Sequence, residues 1–309
     1  MKTLFKPFFF LIAGLVSAQK PNEVTLFNKD LNRFLNVRDL SISKDGSEAY
    51  FTIQSSNQEV SHIAYIKKNK KNVWSKPELI SFNDPFSYME PFLSHDGKRL
   101  YFASDRPLNK NQTLKKDFDI WYIERKNDSS EWSEPINMGK PVNSELNEFY
   151  PSLSENNNLY FTMEAPTGMG KDDIYFCKWE NNAFSAPELL NENINSSGYE
   201  FNAFIAPKEN FIIFTKYNEK GGLGSGDLYI SRKSADGNWQ KAENLGTPIN
   251  TKFMEYCPFY DEETQTLYFT SRRSSLQPKR FKDIDDFQEY TGEGENGLSK
   301  IYKVTLNIK

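Results

Sequence analysis

The chain has 309 residues, a formal net charge of −4, 38% hydrophobic and 26% charged residues, which exclude a disordered polyelectrolyte and a membrane-embedded bundle. That charge also excludes a generally basic nucleic-acid binder, and two cysteines exclude a disulfide scaffold and a Cys-based structural zinc site. Two histidines leave little for a multi-His metal centre, while 25 Phe and 16 Tyr favour strands over helices.

Residues 1–18 read as a secretory signal peptide. Lys2 and Lys6 give a positive start, Pro7 to Val16 is apolar, and Val16-Ser17-Ala18 places small residues before a cleavage point. An apolar run this short cannot cross a hydrocarbon core, which needs about 20 residues. Cleavage near Ala18 would take the net charge from −4 to −6. The expected product is periplasmic or secreted, without a membrane span, and no cysteine at the cleavage point suggests a lipid anchor. Residues 19–309 are expected to form one domain.

That domain repeats. Tyr50-Phe51-Thr52, Tyr101-Phe102-Ala103, Tyr160-Phe161-Thr162, Ile213-Phe214-Thr215 and Tyr268-Phe269-Thr270 recur with their Phe residues 51, 59, 53 and 55 positions apart. Each follows a turn, with Asp45-Gly46 and Asp96-Gly97 as hairpin signals in the first two. A short strand precedes each turn (Leu40-Ser41-Ile42 is the first), and a third follows each Phe run (Ile120-Trp121-Tyr122-Ile123 is the second). A fourth element opens on an aromatic and often carries Ser-x-Pro, as in Trp74-Ser75-Lys76-Pro77 and Trp132-Ser133-Glu134-Pro135; its proline suits an edge strand. Four antiparallel strands repeated five times predict an all-β, five-bladed propeller. The alternative of six blades has no sixth motif behind it. The last unit ends at its third strand, so residues 23–27 are expected to supply its outer strand, a 1+3 closure that also removes an open sheet edge.

Pro91-Phe92-Leu93-Ser94-His95-Asp96-Gly97-Lys98-Arg99-Leu100-Tyr101-Phe102 resembles the WD40-like repeat of TolB-type propellers. Gly224-Ser225-Gly226-Asp227-Leu228-Tyr229-Ile230-Ser231, with Trp239 and Asn244-Leu245-Gly246, resembles the version found in exported proteins of Bacteroidetes-type bacteria. The resemblance spans about Val24 to Val304; Ala206 and the non-Gly turns of the last three units depart from it. It implies an envelope location, often beside OmpA-like or peptidoglycan-binding modules, but no activity, because the repeat is a packing unit. No such module fits here, so any complex is expected to form by surface contact.

The loops entering the inner strands and joining second to third strands should share one face, and they are long: Gln54 to His62, Asp105 to Asp119, Glu164 to Asp173, Tyr217 to Asp227, Arg272 to Ser299. Long loops on a rigid scaffold are where binding concentrates. Glu148, Glu200 and Glu255 precede three inner strands at a fixed offset, and repeat symmetry points them toward the axis, beside Arg106 and Arg272. Such a ring could hold a polar ligand, a peptide terminus or a cation; the plainer account pairs each Glu with an Arg or a backbone turn. Asp119, Asp173 and Asp227 stand before third strands, either facing ligand or capping turns by Asx bonds, and their recurrence favours capping.

No cofactor is expected. Calcium is the one alternative, at Asp172-Asp173 or Asp283-x-Asp285-Asp286, but neither has EF-hand spacing. Gln277 to Asn296 reads as a lid or a solvated excursion. Ser225 lacks the flanking glycines of a nucleophile elbow. Cys177 and Cys257 fall in different blades, so a disulfide is doubtful. The expected function is a non-catalytic binding or scaffold propeller, engaging an envelope protein or cell-wall component through its loop-rich face. Its oligomeric state stays open. The alternative is a glycosidase-like hydrolase with paired carboxylates about 5–10 Å apart near the axis.

Overall fold

Five four-stranded antiparallel sheets follow one another in the computed structural model, which describes residues 23–308 apart from 83, 110 and 293. The segment read as a signal peptide lies outside the described residues. The inner strands are Asn36–Ile42, Tyr88–Leu93, Glu148–Leu153, Glu200–Ile205 and Glu255–Asp261. Each pairs with its Phe-bearing second strand, then the third, then an outer strand of two residues. The chain is a five-bladed β-propeller.

The fifth sheet takes its outer strand from Thr25–Leu26, which pairs with Lys303 and Tyr302. Phe27 then donates its backbone N–H to Ile301 at 2.9 Å and packs edge-on against Trp74 of blade 1 and Tyr268 of blade 5. Lys300, almost fully buried, donates to the carbonyls of Asn32, within the 3-10 turn Lys29–Arg33, and of Phe34 and Leu35 just after it. One cation thus ties the start of the chain to its last strand.

The second strands are apolar on both faces because each lies between two neighbouring sheets. Phe51, Phe102, Phe161, Phe214 and Phe269 are all at most 1% exposed. Apolar clusters fill all five seams: blades 1/2, 2/3, 3/4, 4/5, and finally 5/1, where Ile301 meets Val37, Phe51 and Phe27. Truncating any of these phenylalanines to alanine should cost about 3–5 kcal/mol.

The repeated Ser-x-Pro has a specific job. Ser75, Ser133 and Ser185 each bond the end of the third strand twice, by backbone N–H and by hydroxyl, at Lys67, Glu124 and Lys178. The proline follows, where no ladder donor is needed. Turns on the opposite face need a left-handed residue, which Gly46 and Gly97 supply at φ 68° and 69°; Asn157 and Glu209 replace them in blades 3 and 4. One element departs from the sequence expectation. The insertion after blade 5's second strand holds an α-helix, Ile284–Gly292, whose first turn is capped by the Asp283 carboxylate accepting from Asp286 N–H.

Candidate functional site

Every inner strand carries a β-bulge, and the bulged residue has positive φ: Asp39, Glu90, Tyr150, Asn202 and Cys257, at 52° to 61°. None is glycine, so each stores roughly 1–3 kcal/mol of strain that the surrounding packing must offset. Four bulge N–H groups have an identified acceptor on the preceding blade. Asp39, Glu90 and Asn202 donate to Thr270, Thr52 and Thr162 of the second-strand repeat. In blade 2 that threonine is Ala103, and the N–H of Tyr150 bonds Glu90 Oε2 instead, at 2.8 Å.

The five bulge side chains meet. Arg38 bonds Asp39 at 2.6 Å through Nε and Glu90 at 2.8 Å through Nη2, and its Nη2 also reaches Cys257 Sγ. Cys257 donates to Asn202, Asn202 to Glu90, and Tyr150 Oη to the carbonyl of Pro258. Such contacts across all five blades place the group on the propeller axis. Burial opposes the charge on Arg38, but its acidic neighbours, Asp39 foremost, hold its pKa above the usual value. Burial pushes Glu90 up, with Arg38 opposing. Asp39 Oδ2 lacks a hydrogen-bond partner.

One residue earlier on each strand stand Arg38, Met89, Phe149, Phe201 and Tyr256, a second ring toward the loop-rich face. Arg38 and Arg272 both lie over the Tyr256 ring, at 5.1 and 5.7 Å. Phe118 packs on Phe149, and Tyr199 on Tyr217, the latter two about one-third exposed. A recess of about 420 Å³ opens between blades 4 and 5, lined by Tyr217, Lys252, Phe253, Met254 and Arg272 among others.

The three glutamates singled out by repeat symmetry take other positions. Glu148, Glu200 and Glu255 are fully buried, each bonded to the hydroxyl four residues before it: Ser144, Ser196 and Thr251. The preceding Asn143, Asn195 and Asn250 clamp both backbone groups of Ile120, Ile174 and Leu228 in the preceding blade. The recurring pattern Asn-Ser/Thr-x-x-x-Glu is therefore a seam fastener. Among the described residues, no hydrogen bond or ion pair joins these glutamates to one another. The expected ring of acids and arginines does not form at the axis.

Arg106 is buried over Trp121 and paired with Asp84 in blade 2, whereas Arg272 lies on the loop-rich face, bonded to Ser299. Asp173 and Asp227 cap their loops, accepting from the N–H groups of Met169 and Gly170, and of Leu223 and Gly224. Asp119 differs. It pairs with Lys116 and Asn137, and Asp117 and Glu148 lie beside it, one oxygen of each within 4.8 Å of the others. Burial, with Asp119 and Asp117 as like-charged neighbours and Ser144 opposing, pushes Glu148 up to about 7. Asp285 and Asp286 belong to the first turn of the helix. Cys177 and Cys257 are both buried and free.

No protein-family model matches the chain, and no curated protein is similar to it in sequence. Solved structures resemble it in fold. An endo-arabinase from Bacteroides thetaiotaomicron VPI-5482 is 15% identical over 90% of this chain and 96% of its own, with a TM-score of 0.56. An α-L-arabinofuranosidase from Lactobacillus brevis is 13% identical over 89% and 92%, with a TM-score of 0.53. TolB from Acinetobacter baumannii is 10% identical over 88% of this chain and 55% of its own, at 0.46. Glycoside hydrolases recur among these neighbours. At such identities the likeness is one of fold alone.

Proposed function

We propose that the protein binds glycan chains on its loop-rich face, around the mouth of the axis, and holds them without cleaving them. One observation carries the reading. The two axial carboxylates, Asp39 and Glu90, are 1% and 5% exposed and share one guanidinium, beneath a ring of Met89, Phe149, Phe201 and Tyr256. Acids held by one guanidinium and covered in this way present no base that a solvent water reaches. The partly exposed Phe149 and Phe201 instead present flat apolar surfaces on which sugar C–H faces stack. The glycan class follows the names of the structural neighbours, an endo-arabinase and an arabinofuranosidase. Export after cleavage near Ala18, and the resemblance of the repeat segments to those of TolB-type envelope propellers, belong to the same reading: the face would meet polysaccharide of the envelope or beyond it.

Hydrolysis is the second reading, favoured by two carboxylates within reach of one guanidinium in a fold shared with glycosidases. In it Glu90, raised by burial, would be the acid and Asp39 the base or nucleophile. Arg38 would first have to leave the space between them.

One experiment separates the two. The mature protein is mixed with arabinan, and both retention on the polysaccharide and release of reducing ends are measured. Retention without new reducing ends, weakened in Phe149→Ala and Phe201→Ala, supports binding. Release that disappears in Asp39→Asn and Glu90→Gln moves the function to hydrolysis. Neither retention nor release on arabinan or peptidoglycan sinks both readings.

A further inference from the structure

The propeller repeats supply an internal control for one cluster of acids. Glu148, Glu200 and Glu255 occupy the same position in blades 3, 4 and 5, each opposite the second strand of its own sheet, at Met163, Lys216 and Ser271. In blade 4 the ammonium of Lys216 sits 3.3 Å from Glu200, and Ser196 supplies an N–H and a hydroxyl to its two oxygens. In blade 5 the Arg273 guanidinium lies 3.6 Å from Glu255, with Thr251 and Ser271 bonding both oxygens. Both glutamates are thus saturated and matched by a cation of the protein.

Blade 3 breaks the pattern. Met163 stands where Lys216 stands, and no ion pair reaches Glu148 among the described residues. Its Oε1 takes the Ser144 hydroxyl, but its Oε2, wholly buried, has no hydrogen-bond partner. A buried carboxylate oxygen left unpartnered is costly. Blade 2 brings further negative charge to the same spot. Asp119 stands where Asp173 and Asp227 cap their loops with backbone N–H groups, yet it receives none of these, and Asp117 adds a third carboxylate. Among the described residues the one cation paired with the three is Lys116, 2.5 Å from Asp117 and 3.0 Å from Asp119. With its carboxylates ionised, the cluster sets three acids against one ammonium and is short of positive charge.

We propose that Asp117, Asp119 and Glu148 form a calcium site in the seam between blades 2 and 3, with the Lys116 ammonium standing in for the ion in its absence. The spacing suits calcium. One oxygen from each residue lies within 4.8 Å of the others, close enough for all three to bind one ion at about 2.4 Å. Magnesium demands a near-ideal octahedron and dehydrates reluctantly, whereas calcium accepts six to eight oxygens in flexible geometry, which a site with three protein carboxylates suits better. Lys116, partly exposed, can swing to solvent as the ion enters. The site would lock the long loop 105–118 to the start of blade 3, where Glu148 N–H already bonds the carbonyl of Phe118. It lies at a seam rather than on the axis and is independent of the glycan reading.

The test uses the mature chain, stripped with chelator and then titrated with calcium or magnesium chloride alone, by calorimetry and thermal unfolding. Calcium is expected to bind one site per chain with a dissociation constant of about 10⁻⁴ M, the range of extracellular modules. It should raise Tm in a concentration-dependent way, with a smaller effect from magnesium. Asp117→Asn, at the half-buried ligand, should weaken binding about tenfold or more, and Glu148→Gln should abolish both heat and Tm shift. Lys116→Gln should tighten binding by removing the competitor. No heat and no shift at millimolar calcium in the wild type would overturn the proposal. So would an undiminished response in Asp117→Asn, which reports even if Glu148→Gln fails to fold.

Discussion

Arg125 of blade 2 reaches across the seam to Glu48 of blade 1, its two terminal nitrogens 2.6 and 3.1 Å from the two carboxylate oxygens. Its Nε holds the carbonyl of Gly97, and its face lies 4.5 Å over Trp132. Lys67 also lies 2.7 Å from Glu48, and Asp128 3.1 Å from Arg125, so two cations meet two carboxylates. With both partners almost fully buried, Arg125→Met should destabilise, but by less than the about 3–5 kcal/mol of a wholly stranded buried charge, because Lys67 still pairs with Glu48. Urea unfolding checks this, and the double variant Arg125→Met/Glu48→Gln should recover part of the loss. Burial works to raise Glu48, but Arg125 and Lys67 outweigh it and hold the pKa below the usual value. The pair's contribution is therefore complete above about pH 4.3 and fades as pH falls through the depressed value.

Lys300 carries the opposite sign. Burial lowers its pKa to about 8, against about 10.4 in an unfolded chain. The unfolded state binds more protons between those values, so stability should rise as pH climbs from about 8 towards 10.4. Below 8 the cost of burying the charge is present in full. Urea midpoints at pH 7.5 and 9.5 check it: the rise seen in wild type should shrink in Lys300→Met, which has no charge to bury.

The axis yields a rescue experiment. Glu90→Ala removes both the Arg38 partner and the acceptor of the Tyr150 N–H, and should destabilise by about 3–5 kcal/mol. Ala103→Thr restores the hydroxyl that blades 1, 3 and 5 use at this position. Added to Glu90→Ala, it should return part of the stability in thermal unfolding. An unchanged Tm in the double variant would mean that the Tyr150 N–H does not matter.

The two thiols should stay apart. Burial raises the Cys177 pKa to about 12 and lifts Cys257 well above its ordinary value. Both should resist thiol reagents until the protein unfolds, and reductant should leave Tm unchanged.

The ring was legible because Tyr50-Phe51-Thr52 and its four relatives do the same packing job in every seam, and one job selects one residue pattern. Closure by Thr25–Leu26 was legible for the same reason, as the fifth sheet lacked an outer strand in sequence. The axis was not. Its five residues, Asp39, Glu90, Tyr150, Asn202 and Cys257, share a backbone conformation rather than a side-chain type, so no composition signal marks them. The available sign was position: three immediately precede the inner-strand prolines Pro91, Pro151 and Pro258. Glu148, Glu200 and Glu255 recur because the seam fastener recurs, which drew attention two residues short of the bulge. The helix Ile284–Gly292 was readable from its Asp283 cap and the three-residue spacing of Ile284, Phe287 and Tyr290, hidden by the charge around it.

The most direct check on the account is hydrogen–deuterium exchange of the mature protein with and without the polysaccharide that it retains. Binding at the axial mouth predicts slowed exchange around Phe149, Tyr199 to Phe201 and Lys252 to Tyr256, with the turns at Gly46, Gly97 and Asn157 unaffected. Protection confined to those turns, on the far side of the propeller, would contradict it.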